Sequence, residues 1–183
     1  MNIDEQNEIT SKVGILADPV GSGKSIDILA LICSKVSVVP SSQISNMYGK
    51  HIYLKYTPSV TNILDTNLIV VPHSCIFQWK TYISKNTQLN LITICKRKEV
   101  EMFSVDKVRN HNGIVLCSST MYNSLAMKCV NYVWSRVVFD EADSINIPAS
   151  LESQAFFTWF ISSSLHNLYF PLGYYAVESQ ART

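Results

Sequence analysis

The sequence lacks the features that mark membrane-spanning and secreted proteins. It has no run of about 18 or more apolar residues, which excludes a transmembrane helix. The first twelve residues are polar and acidic, so they do not form a signal peptide. Charge is also scarce, because charged residues make up only 16% of the chain and the net charge is +1. A protein-wide basic surface is therefore excluded, and any contact with nucleic acid involves few phosphates.

Cysteine and histidine are too scattered to form a recognisable metal site. The chain has five cysteines and four histidines, and no Cys-x-x-Cys pair occurs among them. The cysteines lie in apolar runs, which favours buried free thiols in a reducing compartment over disulfides or zinc ligands. We therefore expect an intracellular protein of the cytoplasm or nucleus, with no membrane partner.

What is abundant is apolar sequence in short runs, which predicts a single α/β domain. Hydrophobic residues make up 47% of 183 residues, enough for a substantial core. Apolar runs alternate with helix-compatible stretches, which is typical of βαβ units and a mainly parallel sheet. The predicted strands are Val13–Ala17, Leu68–Val71, Leu89–Cys95, Gly113–Cys117, Ser135–Phe139 and Phe156–Ile161. The predicted helices are Lys24–Lys35, Cys75–Ser84, Arg97–Arg109 and Thr120–Met127, with a turn near Ala149–Ser153.

The pattern weakens between Pro40 and Thr66, where Ser, Gly and Pro mark loops around a possible short strand, His51–Tyr56. We interpret this stretch as an excursion from the sheet and not as a second domain.

A glycine-bearing loop follows the first apolar run and leads directly into the first predicted helix. Strand, glycine loop, Lys-Ser and helix in that order form the context of a phosphate-binding loop. Gly21 and Gly23 can adopt positive φ, so that backbone N–H groups form a concave anion site. Lys24 would reach the outer phosphates, and the Ser25 hydroxyl would ligate Mg²⁺. The candidate nucleotide-binding residues are Asp18, Gly21, Ser22, Gly23, Lys24 and Ser25.

A second candidate site is the acidic sequence Asp140-Glu141-Ala142-Asp143, which follows a β-branched apolar run. Acids at the end of a parallel strand lie at the sheet edge where open α/β folds bind ligands. In phosphate-binding-loop proteins the first acid, here Asp140, supports Mg²⁺. Glu141 is placed to polarise the attacking water. The alternative is a solvated acidic turn.

Together the two motifs resemble those of superfamily-two helicases, especially the Swi/Snf-like branch. In that branch an Asp commonly stands where Asp18 replaces the glycine of the general loop pattern, and Asp-Glu-Ala-Asp is a form of the family's motif II. Three further segments follow in family order, although each could also be an ordinary buried strand with a polar turn. They are Leu68–Ser74 with Phe77-Gln78-Trp79 (motif Ia), Val115–Tyr122 (motif Ib) and Phe160–Ser164 (motif III).

The resemblance implies a three-layer, RecA-like P-loop NTPase domain that uses ATP and Mg²⁺. The strand of motif III would lie between those of motifs I and II. Ser162 and Ser164 would then couple hydrolysis to movement. Four residues would lie along the backbone of DNA or RNA, where hydroxyl and N–H groups can bind phosphates without a basic surface: Pro72, His73, Ser119 and Thr120.

The resemblance also implies that catalysis needs a second lobe, because the family hydrolyses ATP between two RecA-like lobes and the second supplies arginine fingers. We expect residues 1–183 to form the first lobe alone, with the second in a partner chain or a lost downstream segment. The isolated chain would bind nucleotide but hydrolyse it slowly.

Two alternatives remain open: a degenerate, non-catalytic interaction module, and a P-loop kinase, which the acidic motif disfavours. The residues of the last motif and those that follow it most resemble the sequences of helicase-like proteins of large DNA viruses. For a viral protein, this resemblance implies a location in the host cytoplasm.

Overall fold

A computed structural model describes residues 11–34, 62–109 and 111–169. Its centre is a six-stranded, entirely parallel sheet of strand order β1-β6-β5-β2-β4-β3. The strands are β1 (Val13–Leu16), β2 (Ile63–Val71), β3 (Asn90–Ile94), β4 (Gly113–Ser118), β5 (Val133–Phe139) and β6 (Ala155–Ile161). The described helices are α1 (Lys24–Cys33), α2 (Ile76–Asn86), α3 (Arg97–Met102), α4 (Val105–Arg109), α5 (Tyr122–Lys128) and α6 (Leu165–Tyr169).

The central strands are apolar on both faces because helices cover both sides of the sheet. In β2, Leu68 and Val70 pack on one face with apolar residues of α3, α4 and α5. Ile69 and Val71 pack on the other face with residues of α1 and α2. The three-layer α/β fold and the parallel sheet are therefore confirmed.

Strand β2 is longer than its apolar run indicates. It begins at Ile63 and not at Leu68, so the assignment of residues 63–66 to an excursion from the sheet is wrong. The hydropathy pattern fails here because two polar side chains are buried in the strand. Thr66 donates to the Val108 carbonyl at 2.8 Å, and the Asn67 amide lies 3.4 Å from the Gly113 carbonyl. The possible strand His51–Tyr56 lies outside the described residues.

The helix predicted over Arg97–Arg109 is two helices, α3 and α4. Phe103 interrupts them with an extended backbone (φ −68°, ψ 124°) and is buried in the core. The helix-compatible sequence does not reveal such a break, because the break is stabilised by the burial of Phe103. That burial depends on tertiary contacts, which the local sequence does not show. Two other boundaries also move: Ser119–Met121 forms a 3-10 turn before α5, and residues 151–153 form no turn, since the turn lies at 148–149.

The thiols are less uniformly buried than their apolar surroundings predict. All five cysteines are free, but only Cys117 and Cys129 are buried, and Cys33 is exposed. None of the helices in the described ranges is long and apolar enough to cross a membrane.

Candidate functional site

The candidate nucleotide residues gather at one edge of the sheet because β1, β6 and β5 are neighbours with parallel direction. The motif III strand, β6, lies between the strands that precede the glycine loop and the acidic motif, as the resemblance predicts. Backbone hydrogen bonds continue beyond the strand ends. Ser162 N donates to the Leu16 carbonyl at 3.0 Å, and Ala142 N donates to the Ile161 carbonyl at 2.8 Å. The three motifs are therefore held side by side.

The glycine loop has the backbone geometry that its sequence predicts. Gly21 and Gly23 have φ of 83° and 99°, and among the described residues no atom beyond their immediate neighbours lies within 4 Å of where a Cβ would stand at either position. Within the described part of the chain, the loop therefore leaves space on that side for a ligand. Lys24, the first residue of α1, donates from Nζ to the carbonyls of Asp18 at 2.6 Å and Pro19 at 2.9 Å. Its ammonium group thus lies folded against its own loop.

Asp140 is the most buried carboxylate of the site, with 7% of the residue exposed. Its Oδ2 accepts a hydrogen bond of 2.7 Å from the indole Nε1 of Trp79 on α2, and its Oδ1 accepts one of 3.0 Å from the backbone N of Glu141. Burial raises the pKa of Asp140, while these two hydrogen bonds and the nearby Lys24 charge oppose the rise. The sequence motifs alone indicate no role for Trp79.

Glu141 occupies the left-handed backbone region, with φ of 53°. A non-glycine residue in this region carries strain of about 1–3 kcal/mol, and such strain concentrates at functional sites. Partial burial raises the pKa of Glu141, and the charges of Asp140 and Asp143 raise it further. This carboxyl group is therefore a better proton acceptor than an exposed glutamate.

Ser162 connects motif III to motif II. Only 1% of the residue is exposed, and its Oγ lies 2.8 Å from Asp143 Oδ1 and 2.9 Å from the Ser164 carbonyl. The same oxygen accepts a hydrogen bond of 2.9 Å from Ser164 N. The sequence motifs alone indicate no role for Asp143, because nothing in the spacing reveals a contact between residues 19 positions apart.

The candidate nucleic-acid residues lie at the adjacent part of the same edge, where β2 and β4 end. These strands are paired up to Val71 and Ser118. Each ends in an extended residue followed by a 3-10 turn, His73–Cys75 after β2 and Ser119–Met121 after β4. His73 and Thr120 are exposed, and Pro72 and Ser119 are half-buried. Thr120 Oγ1 is 3.0 Å from Ser118 Oγ, so one hydroxyl of the set already has a protein partner.

The acidic residues of the site do not form a metal site whose ligands are all protein side chains. Among the described residues, no group of three or more His, Cys, Asp or Glu side chains could hold a metal ion. Magnesium bound with nucleotide usually takes one or two carboxylates together with phosphates and water. Asp140 has one hydrogen bond to each oxygen, so lone pairs remain and the carboxylate fits that mode of binding.

Comparison with known proteins agrees with this geometry. The family model for the SNF2-related domain matches residues 4–164. A putative helicase of Acanthamoeba polyphaga mimivirus is 21% identical over 217 aligned positions, which cover 85% of this chain and 26% of that protein. The DNA repair protein rad5 of Aspergillus fumigatus is 32% identical over 107 positions, which cover 58% of this chain and 8% of that protein. The chain thus spans about a quarter or less of each relative.

The family match covers the glycine loop, the acidic motif and the strand between them, which the parallel sheet brings to one edge. This chain belongs to the SNF2-related family, and its α/β domain is a RecA-like lobe of the Swi/Snf-like superfamily-two helicases.

Proposed function

We propose that this domain binds ATP and Mg²⁺ at the ends of β1, β6 and β5 and serves a nucleic-acid-dependent helicase or translocase. The observation that carries the proposal is the placement of the glycine loop and the Asp140 carboxylate on either side of β6. Loop N–H groups can bind phosphates there, and an acid that supports a cation lies across from them. Membership of a helicase-family ATPase domain agrees with this assignment.

Each residue has a distinct role in the proposed site. Gly21 and Gly23 let the backbone approach the phosphates, and Lys24 exchanges its loop carbonyls for phosphate oxygens. Ser25 and Asp140 would hold the magnesium ion, whose chemistry there would be to neutralise charge on the phosphates. Glu141 accepts the proton of the attacking water, and its raised pKa suits that task.

Efficient hydrolysis is proposed to need arginines from a second lobe, in the same polypeptide or in another. Three arginines fall in the described ranges, and each has a partner away from the carboxyl ends of β1, β6 and β5. Arg97 pairs with Glu101, Arg109 Nη2 donates to Asn62, and Arg136 Nη1 donates to Asn67. The placement of these partners supports a separate source for the arginines that would stabilise charge on a transferred phosphoryl group.

DNA or RNA is proposed to cross the carboxyl ends of β2 and β4 and to contact Pro72, His73, Ser119 and Thr120. Support comes from the two matching 3-10 turns, which present backbone N–H groups and hydroxyls at the edge next to the nucleotide site. Groups of this kind bind phosphates but carry no sequence information, so we expect binding that is independent of base sequence.

The decisive experiment is a titration of the 183-residue chain with a fluorescent ATP analogue in the presence of Mg²⁺. Saturable binding is expected, and Lys24→Ala should weaken it by at least about tenfold, since a charged contact to phosphate is lost. Lys85→Ala is the matched control, because Lys85 is exposed in the last turn of α2, away from the site.

Two outcomes would overturn parts of the proposal. Absence of saturable binding would favour a degenerate interaction module that does not use ATP. Robust nucleic-acid-stimulated hydrolysis by the chain alone, lost in Lys24→Ala and in Glu141→Gln, would show that no second lobe is needed.

A further inference from the structure

The indole of Trp79 is the one side-chain donor to Asp140 among the described residues. Trp79 lies on α2, which begins shortly after β2, whereas Asp140 follows β5, so the contact joins two motifs 61 residues apart. The donor–acceptor distance is 2.7 Å, which is short for an N–H donor and typical of a hydrogen bond to a carboxylate. A contact of this kind restricts the carboxylate to one orientation.

The surroundings of Trp79 hold the donor itself in place. Only 1% of the residue is exposed, and it belongs to the apolar cluster that also contains Ile28 of α1 and Val138 of β5. Side chains in such closely packed surroundings have little freedom to change rotamer. The indole N–H is therefore a fixed donor aimed at the site.

The chemistry of an indole donor suits a carboxylate that must also bind a cation. Indole donates one hydrogen bond and carries no charge, so it orients Asp140 without competing electrostatically with a metal ion. A lysine or arginine in the same place would neutralise the carboxylate. Because the Glu141 N–H occupies the other oxygen, the two donors fix the carboxylate plane and leave a lone pair on each oxygen.

We propose that Trp79 is a positioning residue for magnesium-dependent nucleotide binding and orients Asp140 through its indole N–H. This inference rests on the proposed function, since it assigns to Asp140 the support of the cation that accompanies ATP. It gives the Trp of the Gln78-Trp79 pair a role in the nucleotide site, although that pair lies next to the proposed nucleic-acid residues.

The chain contains a matched control for the removal of this indole. Trp134 is also 1% exposed and lies in β5, the strand that ends just before Asp140, but it packs in the cluster on the other face of the sheet. Its Nε1 has no hydrogen-bond partner among the described residues. Trp79→Phe and Trp134→Phe therefore remove similar apolar area, and only the first removes a hydrogen bond to the site.

The experiment measures the affinity of both variants for a fluorescent ATP analogue, in EDTA and across a Mg²⁺ titration. Magnesium is expected to raise the affinity for the analogue, and the Mg²⁺ concentration that gives half of this rise should be about tenfold higher for Trp79→Phe than for the wild type. A change of about tenfold is the size expected for the loss of one hydrogen bond to a charged group. Its affinity in EDTA, which depends on the loop, should match that of the wild type. Trp134→Phe should match the wild type under both conditions.

The outcomes separate this inference from the proposed function. A wild-type chain that shows no saturable binding overturns both. A wild-type chain that binds with a magnesium-dependent gain, while Trp79→Phe shows the same magnesium dependence, overturns the inference alone. The inference is also overturned if Trp79→Phe loses affinity equally in EDTA and in Mg²⁺, because that result marks a purely structural role.

A second measurement applies if Trp79→Phe does not fold. The chain has three tryptophans, so ¹⁵N-tryptophan labelling gives three indole N–H resonances, which Trp134→Phe and Trp159→Phe assign by elimination. Addition of Mg²⁺ to the nucleotide-bound chain should move the Trp79 resonance and leave that of Trp134 unchanged. An unchanged Trp79 resonance would overturn the inference.

Discussion

Glu141 combines a strained backbone with a disfavoured charge. Its φ of 53° is costly for a residue with a Cβ, and its carboxylate lies near those of Asp140 and Asp143. The chain stabilises this turn locally, since the Ser144 N–H donates to the Glu141 carbonyl at 2.8 Å. A residue held against both backbone and electrostatic preference suits a position that is selected for chemistry more than for stability.

Glu141→Gln is expected to stabilise the domain at neutral pH. The native pKa is raised above the ordinary value of 4.5, so the folded state binds more protons than the unfolded state just above that pH. Stability therefore falls as pH rises through the raised pKa, and the glutamine variant escapes this loss. Chemical unfolding should show the variant more stable at pH 7, and the gain should shrink at about pH 3.5, where both states are protonated.

The control is Glu152→Gln, since Glu152 is exposed and lies outside the acidic motif. The same pH-dependent gain in both variants would contradict the electrostatic explanation.

Ser162 illustrates how a single hydroxyl can couple two motifs. Ser162→Ala is expected to cost about 2 kcal/mol of unfolding free energy, because Asp143 and the Ser164 N–H each lose a partner. Nucleotide affinity should change little, whereas stimulation of hydrolysis by nucleic acid should fall when the complete catalytic cleft is assembled.

The control for Ser162→Ala is Ser163→Ala, because the Ser163 hydroxyl makes no hydrogen bond with any residue that the structure describes. Equal losses of stability in the two variants would contradict a specific role for Ser162.

At the scale of elements, the edge strand β1 depends on a close contact with β6. A Cβ added at Gly14 would lie 2.6 Å from Trp159 Cζ3 and 2.9 Å from Phe157 Cε1, which is closer than packed atoms tolerate. These rings cover Gly14 at the start of the strand that leads into the glycine loop. The absence of a side chain here thus lets the two strands pair under large aromatic rings.

Gly14→Ala is therefore expected to destabilise the domain by about 2 kcal/mol, the usual cost of overpacking. Trp159→Phe removes the outer part of the ring that the new methyl group meets, so Gly14→Ala/Trp159→Phe should lose less than the sum of the single changes. Urea unfolding of the four proteins gives the coupling energy directly. Additive losses would contradict the contact.

The sequence predicts the ends of a strand or helix correctly only where the buried residues of that element are also its apolar residues. The apolar run of β4 is buried throughout, and its predicted bounds differ from the observed ones by one residue. In β2 the run of apolar residues is shorter than the strand, because Thr66 and Asn67 satisfy their polar groups across the core. Phe103 interrupts the helical segment between α3 and α4 because its side chain packs in the core. That packing forms only after α3 and α4 fold against the sheet.

At the scale of the whole molecule, the carboxyl ends of the strands carry two proposed ligand sites side by side. The ends of β1, β6 and β5 carry the nucleotide candidates, and the ends of β2 and β4 carry the nucleic-acid candidates. The chain has 15 basic and 14 acidic residues, so no general positive field draws DNA or RNA to it. The proposed binding must then come from local contacts along this edge.

We therefore expect nucleic-acid binding with a shallow dependence on salt. Because the proposed contacts are made by hydroxyl and backbone N–H groups, which displace few counterions, a plot of log K against log salt concentration should have a slope much shallower than that of a protein that neutralises about six to ten phosphates with Lys and Arg. Fluorescence anisotropy across a salt series measures this slope. Ser119→Glu should weaken binding, because it introduces negative charge where phosphates are proposed to lie.

Ser84→Glu is the matched control, since Ser84 is exposed near the far end of α2. A slope much steeper than expected would indicate a larger basic surface, and equal weakening by both variants would argue against binding at the ends of β2 and β4.

The sequence by itself determined the fold class, the family and most of the candidate residues. Local order was sufficient for this, because a glycine loop between a strand and a helix, and acids at the end of a strand, are contiguous in the chain. Tertiary structure alone decided the contacts between Trp79 and Asp140 and between Ser162 and Asp143. Those pairs are distant in sequence, and only the strand order β1-β6-β5-β2 brings the parallel strand ends together so that their side chains can meet.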